Sequence, residues 1–217
     1  MSLEEKYVDR VSNYLSARAA WGSEQALSLG DVLIKKNGNY AVYHTLPHFT
    51  DAATTTTKLM DGLNIISSGT KRTIVQGAVG VPGVDLLNPQ QEAALHYDFA
   101  EKHQFALRTS KLRHSYIDNL QDVVRVLHAH ENWDHDEYYL VRQVYKAGHY
   151  FFAGTEAGSG STELSGAVAA IAKFIGFGVR AGLQISSSQA VEAVDRNVTI
   201  AFGLVRIEDD GDPELVP

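Results

Sequence analysis

Apolar residues recur at helical spacing in two parts of the chain, and both parts predict an α-helix. The first helix is predicted over residues 3 to 18, where Ser2 and Glu5 can form a capping box at its start. The residues that carry its spacing are Val8, Val11 and Leu15. The second helix is predicted over residues 116 to 128 from a second apolar stripe. The stripe consists of Tyr116, Ile117, Leu120, Val123, Val124 and Leu127.

Alternating apolar and polar residues predict strands in the first half of the chain. Residues 31–36 and 39–44 are rich in strand-forming residues on either side of Asn37-Gly38, which is the strongest short signal for a β-hairpin. Residues 71–81 alternate loosely and end at Pro82-Gly83, so they predict a strand followed by a turn.

Three further stretches alternate in the same way and complete the predicted sheet. Residues 95–108 form a two-faced pattern longer than the usual strand of about 5 to 6 residues, so we expect it to be bent or partly irregular. Residues 137–146 and 149–154 predict a hairpin around Lys146-Ala147-Gly148, and residues 197–208 predict a closing strand. The predicted fold class is α+β, with helices packed on a twisted, mainly antiparallel sheet.

Residues 164 to 191 differ from the rest of the chain in their charge and side-chain size. These 28 positions contain no acidic residue, only two basic ones, Lys173 and Arg180, and many small or apolar residues. A transmembrane helix needs about 20 continuous apolar residues, and Lys173 near the middle together with several glycines argues against one. We therefore expect a buried element here.

Composition narrows the class of protein and its surroundings. The 217 residues are 44% hydrophobic and contain no cysteine, which predicts a single domain over residues 1–217 in a reducing, cytoplasmic setting. A formal net charge of −7 argues against nucleic acid as a partner. Much of the negative charge lies in an expected solvated acidic tail from about residue 208. Its acidic residues are Glu208, Asp209, Asp210, Asp212 and Glu214.

A cluster of histidines and acids is the candidate for enzymatic chemistry. His128, His130, Asp134 and His135 are similar in composition to the ligand loop of a binuclear metallo-hydrolase. The Asp-His pair comes two residues too late, a predicted helix precedes the cluster, and only His149 follows to supply another ligand. A polar loop is the favoured interpretation, and a metal-dependent hydrolase is the alternative function.

Basic residues and histidines also gather between residues 96 and 114. A basic, pH-sensitive surface that attracts phosphate or anionic lipid and an ordinary solvated face both fit this pattern. The residues concerned are His96, Lys102, His103, Arg108, Lys111, Arg113 and His114.

Two segments could supply membrane-spanning hairpins. A barrel strand needs only about 9 to 11 residues with alternating apolar and polar positions, and closure of the barrel satisfies every backbone group. The strands around residues 71–108 and the small, acid-free region 164–191 meet this requirement. Amphipathic strands are also ordinary in soluble sheets, and the pattern alone favours that interpretation.

The order of these segments resembles the pore-forming domain of the gasdermin family. Gasdermins begin with an amphipathic helix and a short strand pair, as residues 3–18 and 31–44 do. The run from Ile74 to Gly80 is similar to the strand that opens the first inserting hairpin of the family. A return strand and a helix follow, as in residues 95–107 and 116–128.

Two later stretches extend the resemblance over most of the chain. Residues 136–145 are similar to the strand that opens the second gasdermin hairpin, and residues 192–207 are similar to its closing strand. The chain resembles the short fungal members of the regulator-of-cell-death type, which lack the C-terminal repressor domain of vertebrate gasdermins. A chain of that type would be controlled by a partner or by dimerisation instead of by cleavage.

The resemblance implies a non-enzymatic protein that oligomerises, inserts two β-hairpins per subunit and permeabilises a membrane, causing cell death. It implies no cofactor, metal or catalytic residue. The implied partners are membrane lipids, with anionic lipids as the candidate class, and further copies of this chain or a related chain. The resting protein would be cytoplasmic and the assembled protein would lie in the membrane.

The resemblance also assigns roles to two sets of residues. The residues implied to contact lipid are Lys6, Arg10, Arg18, Lys71, Arg72, Lys111 and Arg113. The residues implied to insert and face acyl chains are Ile74, Val79, Tyr97, Phe99, Phe105, Phe174, Ile175 and Phe177.

Overall fold

The computed structural model describes residues 1–21, 27–36, 39–76, 93–156, 160–164, 181–186, 189–194 and 197–216. The helices in these ranges are α1 (Leu3–Leu15) and α2 (Leu120–His128), with a 3₁₀ turn over Leu46–His48. The strands are β1 (Arg18–Ala19), β2 (Asp31–Lys36), β3 (Asn39–Thr45), β4 (Thr55–Met60), β5 (Asn64–Ile66), β6 (Thr70–Gln76), β7 (Ala93–Phe99), β8 (Gln104–Ile117), β9 (Tyr138–Thr155), β10 (Gly160–Leu164), β11 (Ala181–Ser186), β12 (Gln189–Val194), β13 (Val198–Ile207) and β14 (Pro213–Val216).

The described strands pair antiparallel, which confirms the predicted α+β class with a mainly antiparallel sheet. Backbone contacts divide the chain into two compact units, each built from three separate stretches. Unit 1 contains residues 1–10, 61–111 and 147–198, and unit 2 contains residues 11–60, 112–146 and 199–217. Among the described residues, no helix is both long enough and apolar enough to cross a membrane.

Unit 1 contains a three-stranded sheet in the order β10-β7-β6 and a second set of paired strands. In the second set, β11 pairs with β12, and β12 pairs with the part of β9 from Tyr150 to Thr155. The start of α1 contributes Leu3 and Tyr7 to the core of this unit. Other large buried apolar residues of unit 1 include Leu63, Phe99, Phe105, Leu107, Phe151 and Phe152.

Unit 2 is organised around α2 and the β2–β3 hairpin. Strand β2 pairs with β3 and also with the start of β9, whereas β13 pairs with β1 and β14. Helix α2 buries Val123, Val124 and Leu127, and each buried side chain of this size stabilises the fold by about 1.5–3 kcal/mol. They pack in one cluster with Val32, Leu46, Phe49, Ile117, Trp133, Leu140, Val205 and Ile207.

The N-terminal helix begins as its sequence predicts and ends earlier. The Ser2 amide donates to the Glu5 carboxylate at 2.6 Å and the Glu5 amide donates to Ser2 Oγ at 3.1 Å, which is the predicted capping box. The helix ends at Leu15 instead of continuing to residue 18, because Ser16 adopts a positive φ of 49° that no α-helix can continue.

The second helix is shorter than predicted because its expected first residues belong to a strand. Tyr116 and Ile117 end β8, where they pair with Thr56 and Thr55, and α2 begins only at Leu120. A strand in this register buries Ile117 as well as a helix would, so the apolar stripe alone cannot place the boundary.

Two predicted strand patterns divide differently in the structure. The stretch 95–108 breaks at residues 100–103, so β7 ends at Phe99 and β8 begins at Gln104. The predicted hairpin of residues 137–154 is wrong, because β9 is one strand of 18 residues. Gly148 stays within this strand, so the Lys-Ala-Gly sequence makes no turn there.

The remaining predicted strands agree with the structure where it describes them. The hairpin of residues 31–44 is confirmed as β2 and β3, and the closing strand is confirmed as β13. The predicted strand 71–81 is β6 as far as Gln76, and its last residues lie outside the described ranges. The expected solvated tail is partly a strand, because β14 pairs with β13 and Glu214 lies 2.9 Å from Arg206.

Candidate functional site

The first segment predicted to insert contains an antiparallel strand pair. Strands β6 and β7 pair over their full seven-residue lengths without a register shift, from Thr70 opposite Phe99 to Gln76 opposite Ala93. Of the residues implied to face lipid, Ile74, Tyr97 and Phe99 fall on the same set of alternate positions in this ladder. Val79, in the sequence that joins the two strands, lies outside the described residues.

Two of the residues implied to face lipid are buried in the core of unit 1. Phe99 is 2% exposed and Phe105 is fully buried. The ring of Phe105 lies 5.8 Å from Tyr7 and stacks on Phe152 at 5.9 Å. In this structure the two side chains are therefore buried in the protein, and their contact with lipid stays a prediction.

The second segment is described only at its edges. Residues 160–164 form β10, which pairs with β7, and residues 181–186 form β11, which pairs with β12. Phe174, Ile175 and Phe177 lie between these strands, outside the described residues. The expectation of a buried element over residues 164–191 therefore stays a prediction.

The residues implied to contact lipid are distributed over α1, β1, β6 and β8. Arg10 and Arg113 are exposed, whereas the Lys6 ammonium donates a hydrogen bond to the carbonyl of Lys102 at 3.2 Å. The Arg18 guanidinium lies 5.1 Å from the centre of the Tyr40 ring, a cation–π contact. Lys71 and Arg72 lie on β6 opposite Asp98 and Tyr97, and Lys111 lies on β8. Five of the seven residues belong to unit 1, and Arg18 and Arg113 belong to unit 2.

Three of the four side chains proposed as metal ligands make hydrogen bonds to backbone groups. The ring of the fourth, His135, lies 5.0 Å from the ring of His128, with its Nδ1 buried and without a hydrogen-bond partner in the described part of the chain. His128 donates from Nε2 to the Asp209 carbonyl at 3.0 Å, and His130 Nδ1 accepts from the Asn132 amide. Asp134 accepts from the amides of residues 136 and 137, which is a turn-forming role. Among the described residues, no group of three or more histidines, cysteines or acids is placed to hold a metal ion.

Aromatic side chains pack against part of the loop that contains His130. The sequence did not predict this packing. The rings of His44 and His48 stack at 4.1 Å, and Phe49 contacts both His130 and Trp133 edge to face. The spacing of His44 and His48 around Leu46-Pro47 was a visible signal, but nothing in the sequence linked it to residues 130–133. The His130 ring thus packs against Phe49 in the core of unit 2.

Burial and neighbouring charges lower the pKa of His114, a histidine on β8. Burial lowers the pKa of His114, a hydrogen bond with Gln143 at 3.2 Å raises it, and the charges of Lys58 and Arg142 lower it further. The His114 ring stacks on Tyr145 at 4.1 Å with the planes 3° apart. This packing favours the neutral imidazole.

The turn between β7 and β8 carries polar contacts that sequence reasoning missed. In addition to the bond from Lys6 to the Lys102 carbonyl, His103 Nδ1 lies 2.6 Å from a carboxylate oxygen of Glu156. Gln104, which is 2% exposed, accepts from the Ala100 amide and donates to the Ser68 carbonyl. Apart from the Ala100 amide, these partners are distant in sequence, so no local pattern could have indicated them.

Comparison with known proteins returns gasdermins. No protein-family model and no curated protein sequence matches this chain. A bacterial gasdermin from Bradyrhizobium tropiciagri is similar in structure with a TM-score of 0.46 and 10% identity, over 97% of this chain and 90% of that one. The gasdermin A3 membrane pore, solved by cryo-electron microscopy, is similar with a TM-score of 0.35 and 11% identity, over 100% and 94%. Both carry the name of the family that the order of segments resembles.

Proposed function

We propose that this protein permeabilises membranes by assembling into a pore, with two β-hairpins inserted per subunit, and that permeabilisation kills the cell. The β6–β7 pair is the observation that carries the proposal. Its strands are already antiparallel and in register, so they could enter a bilayer without new pairing between them. The gasdermin resemblance of the sequence supports the same function.

The lengths of these strands suit a membrane-spanning hairpin. Each has seven residues and needs about two to four more to reach the 9 to 11 residues of a barrel strand. Residues 77–92, which join the strands in sequence, supply that length with few charges. Pairing between the hairpins of neighbouring subunits would satisfy the backbone groups at each edge, which gives a reason to oligomerise.

Basic residues would bring the resting, cytoplasmic form to an anionic membrane surface. Each Lys or Arg near such a surface contributes about 1 kcal/mol of attraction. Arg10 and Arg113 are exposed and available for this contact. The assembly partner would be a second copy of this chain or a related chain, and no cofactor or catalytic step is required.

Dye release from liposomes tests the proposal. Vesicles with and without an anionic lipid are mixed with the protein over a hundredfold range of concentration. We expect leakage that needs the anionic lipid and rises more steeply than linearly with protein concentration, because assembly precedes insertion. Leakage that is linear in protein, or absent at all concentrations with both lipid compositions, would contradict the proposal.

A matched pair of variants separates insertion from general surface binding. Phe174→Asp places a carboxylate at a position implied to face acyl chains, whereas Phe174→Leu keeps that position apolar. We expect the first variant to bind vesicles without releasing dye and the second to release dye as the wild type does. Equal leakage from both variants would exclude insertion of this segment.

A further inference from the structure

The turn between β7 and β8, residues 100–103, adjoins the β6–β7 pair directly. Phe99, the last residue of β7, lies opposite Thr70, the first residue of β6. The turn therefore continues from one strand at the open end of the pair, the end opposite residues 77–92. Any movement of the pair out of unit 1 must move this turn as well.

Three segments of unit 1 hold the turn through polar contacts. Lys6 of α1 donates to the Lys102 carbonyl at 3.2 Å, and Glu156, just beyond β9, lies 2.6 Å from His103. Gln104 links the Ala100 amide, at 2.8 Å, to the Ser68 carbonyl before β6, at 2.7 Å. The bond from Lys6 to the Lys102 carbonyl is at the surface, where water can replace it at little cost, and Glu156 is 53% exposed, whereas Nδ1 of His103 is buried.

The backbone of the turn includes one left-handed residue. His103 adopts a positive φ of 58°, a conformation that is uncommon outside glycine and in which asparagine, aspartate and histidine are enriched. The contact with Glu156 is made by the side chain of this same residue.

We propose that three contacts form a clasp that retains the β6–β7 pair in the resting fold: Lys6 with the Lys102 carbonyl, Glu156 with His103, and Gln104 with the backbone of Ala100 and Ser68. Lys6 also belongs to the residues proposed to contact lipid. An anionic headgroup that takes the Lys6 ammonium withdraws the donor from the Lys102 carbonyl, so lipid contact and clasp closure compete for one charge. This inference rests on the proposed function and adds a step that controls it, the release of the β6–β7 pair when lipid binds Lys6.

Hydrogen exchange of backbone amides tests the clasp without reference to leakage. The clasp variant is the double substitution Lys6→Met and Glu156→Gln, which removes one donor and one carboxylate. The control is Glu101→Gln with Lys102→Met, which makes the same charge changes on exposed side chains of the same turn and keeps the Lys102 carbonyl. The amides of α2 in unit 2 serve as an internal reference for global unfolding.

We expect exchange in β6 and β7 to accelerate about three- to tenfold in the clasp variant and less than twofold in the control, with α2 unchanged. Lys6→Met alone should show part of the increase. Equal exchange in the clasp variant, the control and the wild type would overturn the clasp. Acceleration of β6, β7 and α2 together would overturn it too, since it would show only general destabilisation.

Leakage from anionic vesicles separates this inference from the proposed function. Faster exchange in the clasp variant together with dye release by the wild type supports both. Faster exchange in the clasp variant without any dye release by the wild type supports the clasp and contradicts the pore. Dye release with unchanged exchange overturns the clasp and leaves the pore in place.

Discussion

The ring of Tyr7 lies 5.8 Å from the ring of Phe105, and neither side chain is reached by solvent. Tyr7 also meets Phe152 edge to face at 5.7 Å. The N-terminal helix thus contributes an aromatic side chain to the cluster that buries the start of β8. The helix is held more by packing in unit 1 than by its own helix propensity, because an isolated helix of this length is only marginally stable in water.

We expect Tyr7→Ala to lower the free energy of unfolding by about 3–5 kcal/mol, because it removes a fully buried aromatic ring and leaves a cavity. Urea denaturation followed by circular dichroism measures the change. Tyr14→Ala is the control on the same helix, because Tyr14 is 65% exposed and its loss should change stability by less than about 0.5 kcal/mol. Equal effects of the two substitutions would contradict the described packing of α1.

The burial of Phe99 gives a second prediction, which concerns the effect of a charged side chain at this position on stability. Phe99→Asp would place a carboxylate at a position that is 2% exposed, so we expect a loss of several kcal/mol of stability and a poorly folded protein. Thermal unfolding checks this. Phe99→Leu, which keeps the position apolar, should fold and melt within a few degrees of the wild type. An Asp variant as stable as the Leu variant would mean that Phe99 is not buried in solution.

His114 makes stability depend on pH. Its pKa is lowered in the folded state, so the unfolded chain binds the proton more readily. The stabilising contribution is complete above the ordinary histidine pKa of about 6.5 and is lost as pH falls below it. We expect the urea midpoint to fall between about pH 7.5 and pH 5, and His114→Gln to reduce that fall.

A second variant tests the cause of the His114 shift. Lys58→Met removes a positive charge that helps to lower the pKa of His114, so the acid-induced loss should become smaller than in the wild type. A larger loss in Lys58→Met, or an identical pH profile in His114→Gln and the wild type, would show that other groups control this pH range.

The structural features that the sequence predicted correctly are those determined by residues close to one another in the chain. The β2–β3 hairpin follows from Asn37-Gly38, and the capping box follows from the spacing of Ser2 and Glu5. Element boundaries that depend on pairing were not predictable in this way. Ile117 fits an apolar stripe of either type, and only its partner Thr55 in β4 places it in a strand.

The same distinction applies to the candidate site: some of its features depend on nearby residues in the sequence, and others depend on distant ones. Alternation grouped Tyr97 with Phe99, and the resemblance added Ile74; the register of β6 and β7 puts all three on one set of ladder positions, whereas their contact with lipid stays a prediction. The contact of Glu156 with His103 joins residues 53 positions apart, and neither residue has a sequence neighbour that indicates the other. Polar contacts between separate strands are invisible to periodicity, because they depend on how the whole unit packs.

Gly69 and Gly211 both adopt a φ of +85°, but their surroundings differ. A Cβ on Gly69 would lie 2.5 Å from Nε2 of Gln104, whose bond to the Ser68 carbonyl it would displace. A Cβ on Gly211 would meet the His128 ring at 3.3 Å, a contact that a small shift relieves. We expect Gly211→Ala to cost about 1 kcal/mol for backbone strain alone and Gly69→Ala to cost about 2–4 kcal/mol, because a buried amide also loses its partners. Urea midpoints measure both, and equal losses would mean that Gln104 adjusts freely and does not hold the turn.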